Sequence, residues 1–137
     1  MSEAVIDTNV FIHAISEDSP LHQEARMLLY GLKRWMVPTV VVYELVWFFR
    51  RVGVRSEVAA YVVESILSNP RTVVLADLGE HARWALRALR EEKMGLAHFN
   101  DKVIVSTAAK AGVPLVTYDD ELRKEAMREG LKVLPPL

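Results

Sequence analysis

Cysteine is absent from the 137 residues, which removes disulfide frameworks, thiolate zinc sites, iron-sulfur clusters and cysteine nucleophiles together. A reducing, cytoplasmic setting fits that absence. Glycine is sparse and scattered, with no two of Gly31, Gly53, Gly79, Gly95, Gly112 and Gly130 closer than 16 residues. A dinucleotide-binding or P-loop glycine cluster is thereby excluded. The four histidines, His13, His22, His81 and His98, form no i, i+3 or i, i+4 pair, and there is no Gly-x-Ser-x-Gly elbow. Zinc-protease and serine-hydrolase chemistry have no residues to work with. Long apolar runs are also missing. The most apolar stretch, Met36 to Phe49, is 14 residues long and carries Pro38 and Glu44, short of the roughly 20 residues that span a bilayer, and it reads as a buried helix. The opening Met-Ser-Glu-Ala-Val-Ile-Asp lacks the basic and apolar regions of a signal peptide. Neither sign of charge dominates: 17 basic against 18 acidic residues give a net charge of -1, not the basic footprint of a passive nucleic-acid binder. With four carboxylates set aside in one metal pocket the remainder becomes +3, so a polyanionic substrate stays open.

What is present is the balance of a packed protein, 51% hydrophobic and 26% charged, of a length that fits one domain over residues 1–137. Ala4 to Ile6 is a short apolar strand stopped by the turn-forming Asp7-Thr8-Asn9. Val10 to Ile15 and Leu21 to Leu32 read as helices, the latter with Leu21, Ala25, Leu28, Leu29 and Leu32 on one face. Trp35 to Val37 is a second strand. Thr39 can cap a helix to about Val52, where Gly53 is a stop signal, and Ser56 one to about Leu67, before Asn69-Pro70. Thr72 to Leu75 is β-branched, and Asp77 precedes a helix from about Glu80 to Lys93, with Ala82, Leu86 and Leu89 inward and Gly95 as its stop. Asn100 or Asp101 can cap a helix through about Lys110, Leu115 to Thr117 is a strand, Asp119 or Asp120 begins the last helix, and Lys132 to Leu134 follows Gly130 as a final strand. Short apolar strands alternating with amphipathic helices predict an α/β fold, a three-layer α/β/α sandwich on a mainly parallel sheet. Ligands in such sheets collect beyond the carboxyl ends of the strands, where strand order reverses.

Four carboxylates stand at strand ends or in apolar surroundings. Asp7 directly follows the first strand, and Asp119 follows Leu115 to Thr117 after Tyr118; as single residues either suits an ordinary turn or cap. Glu44 has Val40, Val41, Trp47 and Phe48 at i-4, i-3, i+3 and i+4, an apolar face on which an unpaired carboxylate is costly, so it needs a cation, a metal or a cleft; Arg51 is the obvious ion-pair alternative. Asp101 opens a helix apolar at Val103, Ile104, Val105 and Ala108, where the N-terminal dipole favours an anion and capping is the plain alternative. Oxygen-only ligands converging at one strand edge suit a hard divalent cation, Mg²⁺ or Mn²⁺, and the reaction class is metal-assisted hydrolysis of a phosphodiester.

The set Val5-Ile6-Asp7-Thr8-Asn9-Val10, Glu44, Asn100-Asp101 with Ser106-Thr107-Ala108-Ala109, and Val116-Thr117-Tyr118-Asp119 resembles the PIN-domain ribonucleases, particularly the VapC-like toxins. That resemblance implies about five strands in the order 3-2-1-4-5 and an acidic quartet of Asp7, Glu44, Asp101 and Asp119 as catalytic and metal-binding residues. It implies Asn9 and Thr117 as supporting residues, with Asp119 matching the family pattern better than Asp120. It further implies an Mg²⁺- or Mn²⁺-dependent endoribonuclease leaving a 3'-hydroxyl and a 5'-phosphate, a homodimer, and an inhibitory antitoxin protein.

A phosphoacceptor receiver needs an acceptor aspartate at the end of a middle strand, where only Asp77 is available, and a haloacid-dehalogenase-type phosphatase needs an acid at the position of Asn9. A non-catalytic PIN-like module binding RNA or protein is the rival reading. Arg50, Arg51 and Arg55, or the row Arg83, Arg87 and Arg90, can meet phosphates, although a solvated helix face accounts for the row. Trp47, Phe48 and Phe49 exceed what one small core absorbs and predict a homodimer or antitoxin interface on their helix.

Overall fold

In a computed structural model, which describes residues 2–136, the chain alternates strands and helices: β1 (Glu3–Ile6), α1 (Thr8–Ile15), α2 (His22–Tyr30), β2 (Arg34–Pro38), α3 (Thr39–Arg51), α4 (Ser56–Ser68), β3 (Thr72–Leu75), α5 (Gly79–Glu92), a 3₁₀ turn at Leu96–His98, α6 (Phe99–Ala111), β4 (Leu115–Val116), α7 (Asp120–Arg128) and β5 (Val133–Leu134). The sheet has five strands in the order β3-β2-β1-β4-β5, all pairings parallel, with Ala4 opposite Trp35, Val5 opposite Leu115, and Val116 opposite Leu134. No helix among the described residues is long and apolar enough to cross a membrane.

The sequence explains this arrangement. Ala4, Val5 and Ile6 are all fully buried, so β1 reads as a continuous apolar run because it is central and covered on both faces. From β1 the chain steps outward through β2 to β3, returns to β4, and steps the other way to β5. Right-handed crossovers then put α1 to α4 on one face and α5 to α7 on the other. The packing sorts in that way, α1 against α2 and α3, α3 against α4, and α6 against α5 and α7. The reversal lies between β1 and β4, which opens the crevice at their carboxyl ends.

Several local expectations are corrected, mostly at helix ends. Asp7 caps a helix that starts at once on Thr8, so Thr8 and Asn9 are helical and no turn intervenes. Thr39 does not cap α3; its hydroxyl donates to the Leu75 carbonyl at 3.0 Å, tying α3 to β3. Ser56 is the first helical residue, one step past the cap position. Asp77 leaves its own helix, whose cap position is Leu78, and accepts the Val40 N–H at the start of α3. α5 ends on Lys93 in the left-handed conformation, φ 55°, before Gly95 is reached. Its inward face is His81, Ala85, Ala88 and Leu89, while Leu86 is 52% exposed. The Met36–Phe49 stretch is not one buried helix: it divides at Pro38 into β2 and α3, and α3 shows Tyr43, Val46 and Trp47 to solvent.

Two buried cations brace the second layer. Arg123 donates to the Thr117 carbonyl at 2.9 Å and the Pro135 carbonyl at 2.5 Å, joining α7 to the chain beyond β4 and β5. The wholly buried Lys102 ammonium lies 2.7 Å from Glu92 of α5 and 2.5 Å from Glu125 of α7. One lysine on α6 thus holds both neighbouring helices.

Candidate active site

The crevice at the carboxyl ends of β1 and β4 is a cleft of about 420 Å³ whose lining includes Asp7, Asn9, Glu44, Asp101 and Asp119. Each acid arrives by a different route. Asp7 leaves the end of β1 as the cap of α1. Asp119 does the same beyond β4, its Oδ1 accepting the Leu122 N–H of α7 at 3.1 Å. Glu44 comes from the second turn of α3, which meets α6 as well as α1. Asp101 sits in the first turn of α6, which begins two residues earlier, at Phe99. The cap position there is His98, so capping does not consume the Asp101 carboxylate. Asp120 is exposed on α7 and does not line the cleft.

A hydrogen-bond web joins the two strand ends. The Thr117 hydroxyl donates to Asp7 Oδ2 at 2.7 Å and accepts the Asp119 N–H at 3.1 Å and the Asn9 amide at 3.4 Å. Asn9 Oδ1 accepts the Tyr118 N–H at 3.2 Å, and Asp7 Oδ1 accepts the Thr8 N–H at 2.8 Å. Thr117 therefore joins the Asp7 carboxylate to the Asp119 main chain, and Asn9 braces Thr117 and Tyr118 between them. Glu44 is held by the Thr8 hydroxyl at 2.5 Å and the Asn100 amide at 3.3 Å. Arg51 lines the same cleft but forms no ion pair with Glu44. The sequence does not mark Thr8 and Asn100 as Glu44 partners, because each stands beside an acid where a turn or cap role accounts for it.

The electrostatics follow from burial. Asp7 is 5% exposed, and desolvation raises its pKa to about 6 against the lowering hydrogen bond from Thr117, with Glu44 and Asp119 adding to the rise. Desolvation likewise raises Asp101 to about 7, followed by the fields of Asp7, Asp119, Glu44 and Glu125. Like charges in a poorly solvated cleft favour protons or a cation. The donor set is all oxygen, which fits a hard divalent ion such as Mg²⁺ or Mn²⁺. Among the described residues no three acids or histidines close on one point as a ready-made metal cluster; the carboxylates ring the cleft without meeting.

An acid-lined crevice at the switch point of a five-stranded parallel sheet is the architecture of a PIN-type protein. Residues 4–126 match the PIN domain profile, and the chain belongs to that family. Compared with curated proteins, the sequence has no match. Among solved structures it is similar to Mycobacterium tuberculosis VapC20, described as a sarcin-ricin loop cleaving toxin, with TM-score 0.75 and 17% identity over 90% of this chain and 95% of that one. It is also similar to a chain of Rickettsia felis VapBC2 bound to a DNA fragment from their promoter, with TM-score 0.68 and 19% identity over 96% of each chain. FitAcB from Neisseria gonorrhoeae gives TM-score 0.66 and 15% identity over 95% of each chain. At these identities the likeness is one of fold.

Proposed function

We propose that the protein is a metal-dependent endoribonuclease, the toxin of a toxin-antitoxin pair, acting in the cytoplasm as a single domain over residues 1–137. The observation that carries this reading is the convergence of Asp7, Glu44, Asp101 and Asp119 on one cleft. Asp7, Glu44, Asp101 and Asp119 would hold Mg²⁺ or Mn²⁺ through their carboxylate oxygens. When bound, the ion supplies Lewis-acid chemistry for phosphodiester hydrolysis, with a 3'-hydroxyl and a 5'-phosphate as products.

The residues themselves prepare this chemistry. Asp7 and Asp101 hold their protons unusually firmly near neutrality, and loading a cation displaces those protons. Thr117 directs Asp7 Oδ2, the Leu122 N–H directs Asp119 Oδ1, and Asn9 ties the Thr117 hydroxyl to the main chain at Tyr118. Glu44, fixed by Thr8 and Asn100, supplies the opposite wall. A homodimer and an inhibitory antitoxin belong to the same proposal. The apolar groove between α3 and α4, lined by Val46, Val54, Ala59 and Val63, is a surface on which such a protein partner would fit.

The test is cleavage of an end-labelled mixed RNA pool with Mg²⁺, with Mn²⁺ and with chelator, beside identically purified Asp101→Asn. Metal-dependent bands absent from the variant are expected. Equal cleavage by the folded variant, or no cleavage of any RNA offered, overturns the nuclease reading.

A further inference from the structure

One rim of the cleft has a different character from its floor. Glu44, Trp47, Phe48 and Arg51 recur at i, i+3, i+4 and i+7 along α3 and so share one side of that helix. All four line the cleft. Phe49 turns into the core, and Phe48 is half-buried against it. Trp47, in contrast, is 58% exposed, an indole left largely in water beside the carboxylates. The Arg50 guanidinium lies over the Trp47 ring at 4.9 Å from its centre, and that of Arg51 lies 5.8 Å from the centre of Phe48. No carboxylate pairs with Arg50 or Arg51 among the described residues.

We propose that Trp47 and Arg51 form a nucleotide-docking step at the cleft rim, where an unstacked RNA base stacks on the indole and a neighbouring phosphate meets the guanidinium. The step rests on the nuclease reading and supplies what that reading lacks. An acidic floor repels a polyanion, so the strand must be gripped beside it. A flat π surface adjoining a cation without an ionic partner complements a nucleotide, which offers a ring face and an anion a few ångströms apart. Continuity with the four cleft carboxylates sets this rim apart from the outward Val46–Val63 groove, whose mainly apolar lining includes Arg50 and Glu64 but none of those four. Bases in an A-form duplex are already stacked, so the step selects single-stranded or looped RNA.

The experiment measures binding without turnover. The Asp101→Asn protein with Mg²⁺ is titrated against a short fluorescent RNA without secondary structure, and against the same RNA annealed to its complement. Adding Trp47→Ala is expected to weaken binding of the single strand about tenfold or more, with Trp47→Phe recovering most of it and duplex binding unmoved. Arg51→Ala is expected to lower the slope of log affinity against log salt by about one, and Arg51→Lys to keep it. In otherwise unaltered protein, the Trp47→Ala loss should fall mainly on KM. Trp47 is exposed, so circular dichroism should be unchanged.

Unchanged single-strand binding in Trp47→Ala, or equal weakening for strand and duplex, overturns the step. A dimer that dissociates on Trp47→Ala, seen by light scattering, with per-site RNA affinity preserved, also overturns it and assigns the indole to a protein interface. If the unaltered protein cleaves no RNA yet Trp47-dependent binding persists, the nuclease reading falls and the docking step stands.

Discussion

Thr117 donates its hydroxyl to Asp7 Oδ2 at 2.7 Å, across 110 residues of sequence and the seam between β1 and β4. The same oxygen receives the Asp119 main-chain N–H, so one hydroxyl links the Asp7 carboxylate to the backbone that carries Asp119. Thr117→Val should leave that N–H without its acceptor and raise the Asp7 pKa further. The expected cost is about 1–3 kcal/mol in urea unfolding, with loss of metal-dependent cleavage, while Thr117→Ser stays close to the parent.

Stability without metal should depend on pH in a direction opposite to that of a salt-bridged acid. Asp7 and Asp101 titrate at about 6 and about 7 when folded, above the value near 4 of an unfolded aspartate. The folded state therefore binds their protons more tightly, and stability falls as pH rises from about 4 to about 7. Asp101→Asn should relieve part of this, raising stability by about 1–3 kcal/mol at pH 8 in chelator and by little near pH 4. Paired thermal melts at the two pH values check it, and Mg²⁺ should narrow the difference at pH 8.

Lys102→Met should be among the more damaging substitutions, although no contact joins Lys102 to the carboxylates of the cleft. Burial alone would lower the Lys102 pKa, yet Glu125 and Glu92 outweigh it and the net shift is upward. Removing the ammonium leaves the buried Glu125 uncompensated, at a cost of about 3–5 kcal/mol. The double variant Lys102→Met/Glu125→Leu should recover much of that loss in urea unfolding.

Lys93→Gly should stabilise the protein. Lys93 closes α5 at φ 55°, a conformation that glycine adopts without the Cβ clash. A gain of up to about 1 kcal/mol is expected, seen as a higher melting temperature with cleavage unchanged.

Much of the architecture was legible because it depends on short-range patterns. Ala4–Ile6 as an uninterrupted apolar run and the amphipathic helices report burial directly, the β-branched Thr72–Leu75 reports strand propensity on a half-exposed edge, and alternation then points to a parallel sheet. Helix ends were less legible. Thr39, Asp77 and Asp101 have capping chemistry, yet Thr39 and Asp77 spend it on neighbouring elements and Asp101 faces the cleft. Propensity describes what a side chain can satisfy, while packing decides which partner is nearby. Leu86 shows the same limit: helical periodicity allowed it inward, but the small Ala85 and Ala88 let α5 lie close against α6 and turned it out.

The four acids were visible as residues out of place, Glu44 above all. By itself the sequence determined their identity, their order and the elements that carry them, because hydrophobic period and strand-end position are local properties. Tertiary structure decided that Thr117 bridges Asp7 and Asp119, that Thr8 and Asn100 rather than Arg51 hold Glu44, and that Trp47 remains outside while Phe49 enters the core. Those outcomes depend on which strands and helices become neighbours. That is set by the summed burial of the whole chain, not by any single segment.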